Sequence, residues 1–175
     1  RAGMHAAKFA KENAAGKIHE DQIDQAAKSA LSPFDRGPSG ENPYQIQRDL
    51  QEMMQDLVGI VRRESEMKTA VDKLGGLQSR AERVGVDGNR EYNPGWNTAI
   101  DLANLLTVSE AIARAAVERK ESRGGHFRDD FPAKSEEFSK FNILIRKGDD
   151  GAMQVVRQPI AELRPDLKQI IEENK

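Results

Sequence analysis

The chain has no cysteine. Disulfides, thiolate metal sites, iron–sulfur clusters held by thiolates and cysteine nucleophiles are therefore excluded within it. The absence fits a reducing compartment. Aromatic residues make up only 5% of the chain, with a single tryptophan, so aliphatic side chains must supply most of any core. No apolar run approaches the roughly 20 residues that a membrane span requires, and no signal-peptide pattern opens the chain. A large excess of either charge is also missing. The net charge is −2, which gives no electrostatic reason to expect a nucleic-acid partner. The three histidines, His5, His19 and His126, include no pair at metal-ligand spacing. No G-x-G-x-x-G lies between a strand and a helix, so the dinucleotide fingerprint is absent. The chain starts Arg1-Ala2-Gly3 without an initiator methionine, which fits an excised segment.

What is present is helical periodicity. With 37% hydrophobic and 32% charged residues in 175, one modest core with appendages is expected. Arg1 to Ala15 reads as a helix with an incomplete apolar stripe through Met4, Ala7 and Phe9. Glu20 to Leu31 is a second, short candidate, which Ser32-Pro33 and Arg36-Gly37-Pro38-Ser39-Gly40 are expected to break, leaving a linker. Asn42-Pro43 then starts a long helix, with Asn42 as cap and Ile46, Leu50, Met53, Met54, Leu57, Val58 and Val61 on one face to about Arg63. Ser65 is expected to cap the next, in which Met67, Val71, Leu74, Leu77, Ala81 and Val84 recur. Gly75-Gly76 inside that run suits either a close helix approach or a local break. Asn93-Pro94 repeats the cap-and-proline start for a third helix from Pro94 to Lys120. Short connections make the three an antiparallel bundle. Phe141 to Lys147 and Ala152 to Gln158 read as strands joined by Gly148-Asp149-Asp150-Gly151. A closing helix, Asp166 to Asn174, has Leu167, Ile170 and Ile171 as its expected buried side. The fold class expected is mainly α: an antiparallel three-helix bundle with a C-terminal β-hairpin and a short closing helix.

Between the third helix and the hairpin lies Glu121-Ser122-Arg123-Gly124-Gly125-His126-Phe127-Arg128-Asp129-Asp130-Phe131-Pro132. Two glycines allow positive φ and are expected to end the helix abruptly. The charged groups around them suit either a solvated cap complementing the helix dipole or a fixed surface held against a partner. His126 with Asp129 and Asp130 offers at most part of a metal site. Ser122 beside His126 lacks the third group that a nucleophile would need, and it suits backbone capping equally well.

This stretch resembles the signature of succinate dehydrogenase and fumarate reductase flavoprotein subunits, carried by Glu121, Ser122, Arg123, Gly124, Gly125, His126, Arg128, Asp130, Phe131 and Pro132. Gly125 and Phe131 stand where the family usually has alanine and tyrosine. Val58-Gly59-Ile60-Val61-Arg62 resembles a second family segment, and Arg1-Ala2-Gly3 with the alanines after it resembles a helix late in the flavin-binding domain. Asn93-Pro94-Gly95-Trp96-Asn97 is similar to actinobacterial-type members. L-aspartate oxidases carry a stretch like the signature, and a stand-alone helical interaction module is a third reading.

The resemblance implies the C-terminal domain of a subunit that interconverts succinate and fumarate, with FAD in the complete subunit and none in this segment. The partners implied are its own flavin-binding domain, an iron–sulfur subunit and membrane anchor subunits, with no nucleic acid. The location implied is cytoplasmic, at the inner face of the plasma membrane through those partners. The division implied is residues 1–40 as the end of a flavin-domain helix plus linker, 41–120 as the bundle, and 121–175 as signature loop, hairpin and closing helix. No catalytic, cofactor-binding or metal-ligating residue is expected here. Arg123, His126, Arg128 and Asp130 are the candidates for an interface with the flavin domain. On that reading Arg123→Ala and Arg128→Ala leave the isolated segment's melting temperature nearly unchanged and lower stability or flavin retention in the complete subunit, whereas a loop that only caps the helix loses at most about 1 kcal/mol.

Overall fold

The computed structural model describes residues 1–174. Two helices, α1 (Ala2–Glu12) and α2 (Glu20–Arg36), precede three long ones: α3 (Pro43–Val58), α4 (Glu64–Ala81) and α5 (Pro94–Glu118). The last three form the bundle. Both expected asparagine caps are made. Asn42 accepts from the Tyr44 N–H at 2.9 Å and Asn93 from the Trp96 N–H at 3.0 Å. The core is aliphatic, as the shortage of aromatics requires. Ile46, Leu50 and Met53 of α3 meet Met67, Leu74 and Leu77 of α4 and Leu102 and Leu106 of α5. Ala113 and Ala116 keep the far end of α5 close to its neighbours.

One expected break is not where the sequence places it. α2 does not stop at Ser32-Pro33 but runs on to Arg36 with Pro33 inside it. The missing proline N–H would have bonded the Ser29 carbonyl, and the Ser32 hydroxyl takes that carbonyl instead at 3.0 Å. The extended end is no linker. Phe34 packs edge-on against Trp96, the Trp96 indole donates to the Ala30 carbonyl at 2.7 Å, and Arg36 Nε donates to the Val84 carbonyl at 2.6 Å. Beyond it the chain at Gly40 lies against Gly85. The Glu41 N–H donates to the Arg83 carbonyl and the Gly85 N–H to the Glu41 carbonyl. A Cβ on Gly85 would sit 2.0 Å from the Gly37 carbonyl oxygen, so backbone packs on backbone there and only glycine fits. Conversely, Gly75-Gly76 neither breaks α4 nor admits a neighbour: a Cβ at either position meets nothing.

α3 ends at Val58, not near Arg63. After Gly59 the chain forms β1 (Val61–Arg62), paired in parallel with β2 (Phe127–Arg128). The hairpin is β3 (Phe141–Lys147) with β4 (Met153–Pro159), antiparallel, Phe141 opposite Pro159. Arg157 pins it to the bundle. Its guanidinium lies over the Phe138 and Phe141 rings, 5.0 and 4.8 Å from their centroids, and bonds Glu118 of α5 at 2.6 Å. The closing helix α6 (Pro165–Glu173) is present, but Leu167, Ile170 and Ile171 are exposed rather than buried. Its apolar stripe finds no counterpart among the described residues. α1 is likewise without a buried residue.

Candidate functional site

The site is built where α4 begins and α5 ends. An α-helix leaves its first N–H groups and last carbonyls without internal partners, with partial positive and negative charge respectively. The segment 121–132 bridges these two ends. α5 has already stopped when the glycines are reached: Arg119 is extended, with φ −81° and ψ 99°. Gly124 (φ 58°) and Gly125 instead form a two-residue turn. Across it the Arg123 N–H donates to the His126 carbonyl at 2.8 Å and the His126 N–H returns to the Arg123 carbonyl at 3.0 Å. The glycine pair reverses the chain; it does not end the helix.

The reversal carries Arg128 into the interior, where it is fully buried. Its Nη1 donates to the carbonyls of Ala116, Val117 and Arg119 at 3.0, 3.3 and 3.2 Å, closing the C-terminus of α5. Nε and Nη2 bond Asp130 Oδ1 and Oδ2, each at 2.7 Å, and Nη2 lies 3.5 Å from Glu64. Asp130 in turn accepts from the Glu64 N–H at 3.0 Å, the first of α4. The expected cap, Ser65, sits inside the first turn of the helix, and the capping carboxylate comes from 66 residues away. A cation at the negative end of one helix is thus paired with an anion at the positive end of another. The hydrogen bond from Arg128 holds the Asp130 carboxyl down at about 2.

Glu121 is the second buried centre and is the residue that sequence reasoning passed over. It is fully enclosed. Burial alone would raise its pKa. Hydrogen bonds from Arg123, the Ser135 N–H and Arg119 outweigh that and hold it at about 2. The only sequence signal was a carboxylate two positions from each of two arginines. The Ser122 hydroxyl donates to the Phe131 carbonyl at 2.9 Å and accepts from the Arg128 N–H at 2.9 Å, tying the loop across itself.

His126 is engaged at both nitrogens. Nδ1 is 2.9 Å from Arg62 Nη1 and Nε2 is 3.0 Å from the Arg119 carbonyl. A guanidinium only donates, so Nδ1 is the acceptor and the proton sits on Nε2, directed at Arg119. Burial lowers the pKa, and the nearby Arg62, Arg128 and Arg119 push the same way against the bond to the Arg119 carbonyl. Both ring nitrogens are thus engaged within the chain. Asp129 is taken by Arg63, at 2.7 and 2.8 Å. Of the four interface candidates, Arg128 turns wholly inward, His126 is half-buried, and Arg123 and Asp130 are both partly open while paired within the chain.

With this geometry in view, the chain can be set beside known proteins. The family model described as fumarate reductase flavoprotein C-term matches residues 47–168. A fumarate reductase flavoprotein subunit of Mycobacterium tuberculosis is 31% identical over 129 residues, which are 73% of this chain and 22% of that protein. A succinate dehydrogenase flavoprotein subunit of Coxiella burnetii is 32% identical over 130 residues, again 73% and 22%. The chain therefore spans about a fifth of the length of these curated relatives. Among solved structures, the Mycobacterium smegmatis Sdh1 complex in the apo form superposes with a TM-score of 0.87 at 39% identity, over 94% of this chain and 29% of that one.

Proposed function

Because this chain belongs to the fumarate reductase flavoprotein C-terminal family, as the C-terminal domain of the flavoprotein subunit, we propose that it serves a complete subunit that interconverts succinate and fumarate. A flavin supplies the hydride chemistry there, and electrons pass to an iron–sulfur subunit and membrane anchor subunits at the cytoplasmic face of the plasma membrane. The described residues contain no strand, glycine loop and helix in the order that would cradle a dinucleotide phosphate, so no contact with FAD is derived for them. The flavin belongs to the remaining part of the polypeptide. α1 goes with that part, while residues 41–120 and 121–175 form the bundle and the segment that straps it.

One observation carries this reading. Signature residues lock α4 to α5, Arg128 on the Ala116 and Val117 carbonyls and Asp130 on the Glu64 N–H, while signature Glu121 ties Arg119 and Arg123 to the Ser135 N–H. Arg123, His126, Arg128 and Asp130 act in this reading as positioning residues for the loop surface that meets the flavin domain. The test is the complete polypeptide. It should retain a flavin absorption band through gel filtration and reduce a dye with succinate, and Arg128→Met should lower both. A complete polypeptide that oxidises aspartate but not succinate would replace this reading with an L-aspartate oxidase. One that holds no flavin would return the chain to a stand-alone helical module.

A further inference from the structure

Six cations surround the strap: Arg62, Arg63, Arg119, Lys120, Arg123 and Arg128. Five have a carboxylate within 4 Å, from Asp129, Glu121, Glu64 or Asp130. Among the described residues Arg62 has none. It is nevertheless fixed. Its Nε donates to the Val58 and Gly59 carbonyls at 3.2 and 2.8 Å, and its Nη1 to His126 Nδ1 at 2.9 Å. All three partners are neutral, and the burial that lowers the Arg62 pKa is offset by no anion. Nη2 has no partner within the described chain. No buried side-chain nitrogen or oxygen there is left without one, so Nη2 opens to the surface. The result is a rigid, half-desolvated guanidinium with one edge free for an acceptor, which suits a carboxylate.

The surroundings identify the kind of carboxylate. Ile60 and Val61, next to Arg62 in the chain, are 80% and 57% exposed, and Phe127, opposite Val61 in the strand pair, is 40% exposed. A small free acid would satisfy the guanidinium but leave these side chains in water. An acidic residue on an apolar protein segment would satisfy both. We propose that the β1–β2 ribbon is a docking surface for a segment of the same polypeptide outside these residues, and that an aspartate or glutamate of that segment pairs with Arg62. This deepens the reading above and rests on it for the presence of further polypeptide.

The complete polypeptide tests it. In Arg62→Lys, zero-length carbodiimide coupling followed by peptide mapping should join position 62 to an aspartate or glutamate beyond the 175 residues. A position-62 peptide that stays uncoupled, couples only within the 175 residues, or couples to another subunit overturns the proposal. Hydroxyl-radical labelling of the wild-type polypeptide is independent of whether that variant folds. Ile60 and Phe127 should be labelled several-fold more slowly than in the same polypeptide unfolded in urea, and an Ile60 rate near the unfolded one overturns the docking. Flavin absorbance of the same preparations separates the two readings. Flavin without coupling or protection removes only this proposal, and coupling without flavin removes only the preceding one.

Discussion

At the scale of single residues, Arg128 changes what substitution should do. An exposed helix cap would lose about 1 kcal/mol on truncation, and that is the most expected from sequence for this segment. Arg128 is instead buried within this chain, and its removal takes the guanidinium from the Ala116 and Val117 carbonyls of α5, leaves the Arg119 carbonyl to His126 alone and leaves Asp130 only the Glu64 N–H. Arg128→Ala should therefore cost the 175-residue chain itself about 3 kcal/mol or more in urea unfolding. Arg123→Ala, at a partly open site where Glu121 keeps Arg119 and the Ser135 N–H, should cost about 1 kcal/mol. A loss of 1 kcal/mol or less for both would mean that the strap carries little of the fold. The carboxylates that the arginines hold also set a pH dependence. Glu121 and Asp130 fall from ordinary values of 4.5 and 3.8 to about 2, so the unfolded chain binds more protons as pH drops. Their stabilisation is complete above pH 4.5 and is lost as pH falls toward 2. His126 acts in the same direction at higher pH. Its folded pKa lies below 6.5, so stability should begin to decline as pH passes down through 6.5, and His126→Gln should flatten that slope.

At the scale of elements, glycine separates into two kinds that composition cannot distinguish. Gly85 lies where two backbones touch, and Gly85→Ala should lower the melting temperature markedly because the carbonyl of Gly37 occupies the place of the new methyl. Gly76 lies on the open face of α4, and Gly76→Ala should stabilise the chain by about 0.5–1 kcal/mol through helix propensity and a less flexible unfolded state. Thermal melts of the two variants should move in opposite directions. Pro33 makes the same point. A proline in a helix is disruptive when its orphaned carbonyl stays unpaired, and here Ser32, the preceding residue, supplies the donor.

At the scale of the whole molecule, the chain is a packed bundle with unpacked ends. α1 contributes no buried residue, whereas the second half of α2 holds Trp96 and Phe34 together. Deleting residues 1–19 should change unfolding free energy by no more than about 0.5 kcal/mol. Deleting residues 1–36 should lower it clearly, since the Trp96 indole then loses its acceptor and its aromatic partner. Equal effects of the two deletions would show that α2 is an appendage after all.

Sequence alone determined what short-range chemistry controls. The asparagine–proline starts of α3 and α5, the apolar periodicity of three helices, the hairpin turn at 148–151 and the signature stretch were all legible, because cap, turn and amphipathic face depend on neighbours a few residues apart. Tertiary structure alone decided the partners. Asp130 caps a helix 66 residues away, Arg128 closes another, Gly40 meets Gly85, and Arg62 is held by His126 with no anion beside it among the described residues. The same residue types in the same order would serve equally as a solvated cap. What makes them a buried strap is desolvation, which acts only when distant segments enclose a charge and require each donor and acceptor to be answered.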